Sequence, residues 1–349
     1  MKTAPGSFFE DFRLGQTLVH ATPRTLTSGD AVLYTALYGS RFALQSADTF
    51  ARQLGLPRSP LDDLLVFHTV FGKSVPDISL NAIANLGYAE GRFLKPVYPG
   101  ATLTAQSEVI GLKENSNRET GVVTVRTKGL DETGTCVLSY VRWVMVRKRT
   151  IDAQTAELHV PALAAAVAAN DLSVPADADF SDFDTTASGS DFLWDDFVPG
   201  EKIDHQDGVT VEEADHMMAT RLYQNTARVH FNQYTEEKGR FGRRLIYGGH
   251  VISLARAISF NGLSNAVSIL AINGGRHVNP LFAGDTVFAW SEVVDKAEIA
   301  GRADCAALRL RLVATKNLPC DAFPDKDASG HYPANLILDF DYWAVMPRR

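Results

Sequence analysis

Apolar residues recur along this chain at two different spacings. Val251, Ile252, Leu254, Ala255 and Ile258 follow the helical spacing, which predicts a helix near 249–260 with a wide apolar stripe. A second such helix is predicted near 64–75. Extended, β-rich runs follow each helix. After the first they are 88–94, 101–112, 121–127 and 136–146; after the second they are 269–278, 285–294, 306–314 and 336–346. A short strand at 17–26 and a short helix near 30–38 come before the first set. One buried helix followed by consecutive strands, mostly without helical crossovers, predicts an α+β fold with an antiparallel sheet.

The two sets are one unit written twice. Phe8, Phe9, Glu10, Asp11, Phe12 and Gly15 match Leu193, Trp194, Asp195, Asp196, Phe197 and Gly200 at an offset of 185. His20 and His205, Asp30 and Asp215, and Tyr38 and Tyr223 keep that offset. Gly91, Arg92, Pro96 and Gly100 match Gly275, Arg276, Pro280 and Gly284 at 184. Trp143 matches Trp343 at a larger offset, which places an insertion in the second copy near 317–332. The division expected is a first domain at 1–150, a linker at 151–190 and a second domain at 191–349. The linker has an Ala-rich piece and then an Asp/Ser-rich piece.

Bulk properties narrow the class. The 349 residues are 45% apolar and 21% charged, an ordinary globular composition. A net charge of −7 argues against nucleic acid as a partner. No run approaches the length of a membrane span and the N-terminus lacks an apolar leader core, so no membrane partner is expected. Cys136, Cys305 and Cys320 lack metal spacing and read as reduced thiols of a cytoplasmic protein. No phosphate-binding glycine loop, dinucleotide fingerprint or metal-spaced cluster is present, so neither a metal nor a nucleotide cofactor is expected.

The candidate chemistry lies at 223–261. A polar loop carries Asn225, Arg228 and His230, and the second predicted helix starts at Gly248-Gly249. A helix beginning at two glycines presents free N–H groups and the positive dipole end to a carbonyl oxygen. A histidine facing it makes a small acid/base site with an oxyanion hole.

Gln224-Asn225-Thr226-Ala227-Arg228-Val229-His230, followed by Leu245-Ile246-Tyr247-Gly248-Gly249, resembles the signature of the MaoC-like (R)-specific enoyl-CoA hydratases. The histidine matches. Asn225 stands at the aspartate position, and Tyr247 where that group often has histidine. The resemblance implies a tandem, or double, hot-dog fold, with antiparallel sheets each wrapped around a central helix. The stretches 34–55, 59–89 and 223–233 are similar to a narrower branch, the mesaconyl-CoA hydratases (β-methylmalyl-CoA dehydratases) of the ethylmalonyl-CoA pathway. This implies reversible hydration of an unsaturated C5 dicarboxylic acyl-CoA thioester. Coenzyme A would then be part of the substrate and no cofactor is needed. A homodimer or higher homo-oligomer is expected.

The resemblance assigns His230 as general acid/base and Asn225 as the residue holding water. Gly248 and Gly249 would offer N–H groups to the thioester oxygen, with close helix–sheet packing as the plain alternative. Tyr247 lines the pocket. In the first copy Ser40 and Gln45 stand where the second has Asn225 and His230, and neither titrates near neutrality. One site per chain is expected, with Ser40, Arg41 and Gln45 shaping its acyl pocket. Arg41 or Arg228 would bind the distal carboxylate or form structural ion pairs. Arg243 and Arg244, in a basic run, suit CoA phosphates. If a carboxylate is required, Asp62 or Asp63 supplies it; otherwise they stabilise the dipole of the first helix. His20, His68 and His205 read as structural, His250 as a polar helix-start residue, and His216 stays unassigned. Two other functions compete: a hot-dog acyl-CoA thioesterase relying on Asp62 or Asp63, and a non-catalytic acyl-CoA binding protein.

Overall fold

The computed structural model describes residues 2–153 and 157–349, so positions 154–156 of the expected linker lie outside the described residues. Among the described residues, ten strands form one antiparallel sheet. In chain order they are β1 (Thr17–Thr25), β2 (Ala82–Phe93), β3 (Thr102–Glu114), β4 (Thr120–Leu130), β5 (Cys136–Arg147), β6 (Lys202–Thr210), β7 (Ser268–His277), β8 (Thr286–Glu298), β9 (Cys305–Lys316) and β10 (Leu336–Pro347). Across the sheet the order is β1-β3-β4-β5-β2-β7-β10-β9-β8-β6. With β6 to β10 taken as second copies of β1 to β5, that order is a palindrome.

The seam is the β2–β7 pair. Tyr88 lies opposite Gly275 and Gly91 opposite Ile272. Residues 88 and 272 are equivalents, as are 91 and 275, so the pairing is self-complementary like a two-fold interface between identical chains. Two side-chain contacts repeat the relation. Tyr223 Oη donates to Tyr38 Oη at 2.9 Å, and His68 Nε2 meets Ser253 Oγ at 3.1 Å; each joins positions 185 apart. A pseudo-two-fold axis therefore runs between the halves of a double hot-dog fold.

Each half is wrapped around one helix. The first central helix, Asp63–Ser74, is capped by Asp62, whose Oδ1 accepts the Leu64 N–H at 2.9 Å. All residues from 64 to 74 are buried, as expected for a helix enclosed on every side. In the second, Gly248–Ile258, the stripe Val251, Ile252, Leu254, Ala255 and Ile258 is buried as its spacing predicts. Shorter helices, Ser28–Tyr38 and Glu213–Leu222, precede the two motif loops. Burial falls from centre to edge: β10 is almost wholly buried, whereas β1 and β6 are mostly exposed.

The segment between the halves is packed, not free. Val167, Leu172, Ala178 and Phe180 are buried against Leu44, Phe50, Leu54 and Trp343. Trp343 Nε1 donates to Val167 O at 3.1 Å. The apolar residues scattered through its polar sequence explain this. The insertion between β9 and β10 folds over Trp290, whose Nε1 donates to Pro324 O at 3.0 Å. Among the described residues no helix is long and apolar enough to cross a membrane, and no group of three His, Cys, Asp or Glu is disposed to hold a metal ion.

Candidate active site

The second motif loop is held by its own backbone. Asn225 N–H donates to Thr220 O at 2.9 Å, and Asn225 Oδ1 accepts the Ala227 N–H at 3.2 Å, an Asx turn. This leaves Asn225 Nδ2 buried and without a partner. A short helix, Arg228–Phe231, follows and presents His230. His230 Nδ1 lies 2.9 Å from Leu245 O. A carbonyl only accepts, so Nδ1 carries the hydrogen and Nε2 carries the lone pair. Burial lowers the His230 pKa to about 4. The imidazole is thus neutral at neutral pH, in the form that accepts a proton.

The second central helix opens beside it. Tyr247 N–H donates to His216 Nε2 at 2.9 Å, and Tyr247 O accepts the His250 N–H at 2.9 Å. Helical geometry leaves the N–H groups of Gly248 and Gly249 without intrahelical acceptors. A side chain at 249 would strike Tyr247 and His68 at 2.4 and 2.5 Å; one at 248 would strike the His277 ring at 2.3 Å. Packing therefore requires both glycines.

Tyr247 is the hub of this region. Its ring lies 5.4 Å from His230, 5.5 Å from His68 and 5.7 Å from Phe71, between ring centroids. A hydrogen-bonded chain runs from Tyr34 Oη to Ser253 Oγ, His68 and Tyr247 Oη. A second joins Tyr223, Tyr38 and His250 Nδ1. His68, His216, His250 and His277 are all held below the ordinary imidazole pKa, first by burial. His68, read from sequence as structural, is bonded to Ser253 and Tyr247 at the start of the second central helix. His20 and His205 keep equivalent bonds far from this chemistry, to Ser107 and Ser291 at 2.8 Å each.

His68, Phe71 and Tyr88 come from the first half, so both halves build this site. His277 and Tyr88, joined through Nε2 and Oη at 3.3 Å, were not singled out from sequence. The available signal was the alignment of His277 with Phe93, a polar residue replacing an apolar one.

Ser40, Arg41 and Gln45 are not brought to His230. Gln45 Nε2 donates to Val267 O at 2.9 Å and to Ser268 Oγ at 3.2 Å, and Arg41 lies 5.0 Å over the Phe260 ring. Phe260 is twelve residues beyond Gly248, roughly 18 Å along the helix. The expectation that these three shape the acyl pocket is corrected: the two-fold places the first motif loop against the opposite end of the second helix. Asp62 and Asp63 belong to that other cradle. Asp63 Oδ2 accepts the Ile269 N–H at 2.8 Å, and burial, then the charge of Asp62, raises its pKa to about 7. The pocket there, of about 60 Å³, is covered by Val174, Pro175 and Phe180 of the linking segment. It holds a few waters at most.

Arg228 Nη1 donates to Asn81 Oδ1 at 2.8 Å, fastening the loop to the first half. Arg243 and Arg244 line a pocket of about 300 Å³ with His216, Gln233 and Ile246. Arg244 pairs with Glu213, and Arg243 stacks on Phe282 at 3.9 Å. His216, which also lines this pocket, lies 6.2 Å from His230 between ring centroids.

Known proteins agree with this architecture. The sequence model described as mesaconyl-CoA hydratase matches residues 2–320. A β-methylmalyl-CoA dehydratase of Chloroflexus aurantiacus is 62% identical over all of this chain and 99% of its own. A mesaconyl-CoA hydratase of Cereibacter sphaeroides is 60% identical over the whole of both chains. A crystal structure of a MaoC domain dehydratase from Chloroflexus aurantiacus superposes with a TM-score of 0.98 at 62% identity, covering 100% of this chain and 99% of that one. A double-hotdog protein from Mycobacterium tuberculosis superposes at 0.77 with 25% identity, covering 98% and 99%. With that match over its length, and with hydratase-type geometry at the start of its second central helix, the chain belongs to the mesaconyl-CoA hydratase family.

Proposed function

We propose that this enzyme reversibly hydrates mesaconyl-CoA to β-methylmalyl-CoA, using one site per chain built on the second motif loop. The observation that carries this reading is the state of His230: Nδ1–H is committed to Leu245 O, leaving a neutral Nε2 as the proton acceptor. Nε2 takes a proton from water while the water oxygen bonds to Cβ. The π electrons move to the thioester oxygen, where the Gly248 and Gly249 N–H groups stabilise the enolate. The imidazolium then returns the proton to Cα, so the water is added whole. Asn225 Nδ2 orients the water, and the Arg243–Arg244 pocket takes the CoA phosphates. General acid/base and oxyanion contributions are each worth about 10²-fold or more.

The division at 1–150, 151–190 and 191–349 belongs to the same proposal. The first unit keeps the fold and lacks the histidine. It lends His68, Phe71 and Tyr88 to the second.

Incubation with mesaconyl-CoA and crotonyl-CoA tests the reading. A hydrated thioester is expected. Release of free CoA thiol would indicate a thioesterase, and no turnover of either substrate would indicate a binding protein.

A further inference from the structure

The two cradles share one backbone plan and differ in lining. In the first, Asp63, Phe93 and Ile269 line the pocket. Their equivalents at offsets of 184–185 are Gly248, His277 and Asn85. The two-fold thus exchanges an apolar pair for a polar one around the helix start that carries the proposed chemistry. Ile269 N–H reaches Asp63 at 2.8 Å, and the same relation sets the Asn85 backbone beside position 248. The His277 ring contacts Gly248 directly.

Both residues are unsatisfied. Asn85 Nδ2 and Oδ1, and His277 Nδ1, are closed to solvent and have no hydrogen-bond partner. Native interiors rarely tolerate such groups unless something else satisfies them. Arg41, meanwhile, is at the other cradle, and Arg228 is tied to Asn81.

We infer that Asn85 and His277 form the specificity subsite for the distal carboxylate of the acyl group. This rests on the hydratase reading above. In a methyl-branched C5 dicarboxylic acyl chain the carboxylate is attached to the β carbon that receives water. Its recognition groups must therefore lie close to the base, and His277 lies against Gly248, next in the chain to the Tyr247 whose ring centroid is 5.4 Å from that of His230. Tyr88 Oη lies 3.3 Å from His277 Nε2, and in the tautomer where that nitrogen accepts from the tyrosine the hydrogen sits on Nδ1. That N–H and the Asn85 NH₂ are two donors for one carboxylate, and hydrogen bonds to an ionised acceptor are the stronger kind.

The test is the selectivity ratio, kcat/KM on mesaconyl-CoA divided by kcat/KM on crotonyl-CoA. His277→Phe and Asn85→Ile copy the residues that the first cradle already accommodates. Each is expected to lower the ratio about 10- to 100-fold, the range for losing a hydrogen bond to a charged group. His277→Asn keeps a donor and is expected to recover part of that loss. A ratio unchanged within about threefold in the Phe and Ile variants, or equal ratios for His277→Asn and His277→Phe, overturns the inference. The wild-type control separates the two levels. A wild type that does not hydrate mesaconyl-CoA sinks the functional reading itself, whereas an active wild type with insensitive variants sinks only this subsite.

Discussion

At the scale of single residues, His230 combines a fixed tautomer with a depressed pKa. A base that stays neutral down to about pH 4 gives a flat acid limb. We expect kcat/KM to hold nearly constant from pH 8 to about 5 and to fall only below that; a decline centred on 6.5 in the rate profile would contradict it. His230→Gln is expected to lower kcat by about 10²- to 10⁴-fold with an unchanged circular-dichroism spectrum. Gln45 already occupies the equivalent position in the first half, so glutamine fits there. Near-wild-type turnover in that variant would remove His230 from the mechanism.

At the scale of elements, the start of the second central helix is the most constrained feature. Gly249→Ala places a methyl group 2.4 Å from Tyr247 and 2.5 Å from His68, both buried and hydrogen-bonded to each other. Overpacking of this kind costs about 1–3 kcal/mol, so the melting temperature should fall along with activity. The linking segment is an element in its own right. Phe180 is 3% exposed and stacks on Phe183 with ring centroids 6.3 Å apart. Phe180→Ala is expected to cost about 3–5 kcal/mol in chemical denaturation. Because Phe180 lines the first cradle, the surviving folded enzyme should keep its mesaconyl-CoA KM; a raised KM would mean the segment also reaches the proposed working site.

At the scale of the whole molecule, the two halves are joined by a shared sheet, by shared hydrogen bonds and by shared site residues. The isolated second half, 191–349, lacks His68, Phe71 and Tyr88, and should show no hydratase activity until the first half is supplied as a separate chain. Acid should destabilise the whole cooperatively. His68 and His250 are buried with pKa values near 3, below the ordinary value of about 6.5. Between those values the unfolded chain binds the extra protons, so stability rises with pH and is lost as pH falls from 6.5. Each such histidine adds a slope of about 1.4 kcal/mol per pH unit. Melting temperatures measured from pH 7.5 to 5 should drop steeply, and His250→Gln should flatten the curve.

The sequence by itself determined the elements, their repetition and the family. Helical spacing at 251–258 is set by one helix needing one buried stripe, and the offset between Tyr38 and Tyr223 is a property of the chain alone. It also put forward His230, Asn225 and the glycine pair as the proposed site, because these lie within one loop and one helix start, where neighbours in sequence are neighbours in space. Tertiary structure decided what the pseudo-two-fold brings together. It sent Arg41 and Gln45 to the far end of the second helix, gave Asp62 and Asp63 a separate cradle, and carried His68 and Tyr88 across to the proposed site. It placed His277 on Gly248 from a strand 29 residues away in the chain. Contacts across a symmetry seam depend on register between distant strands, and no local pattern of residues encodes which end of a buried helix the partner copy will meet.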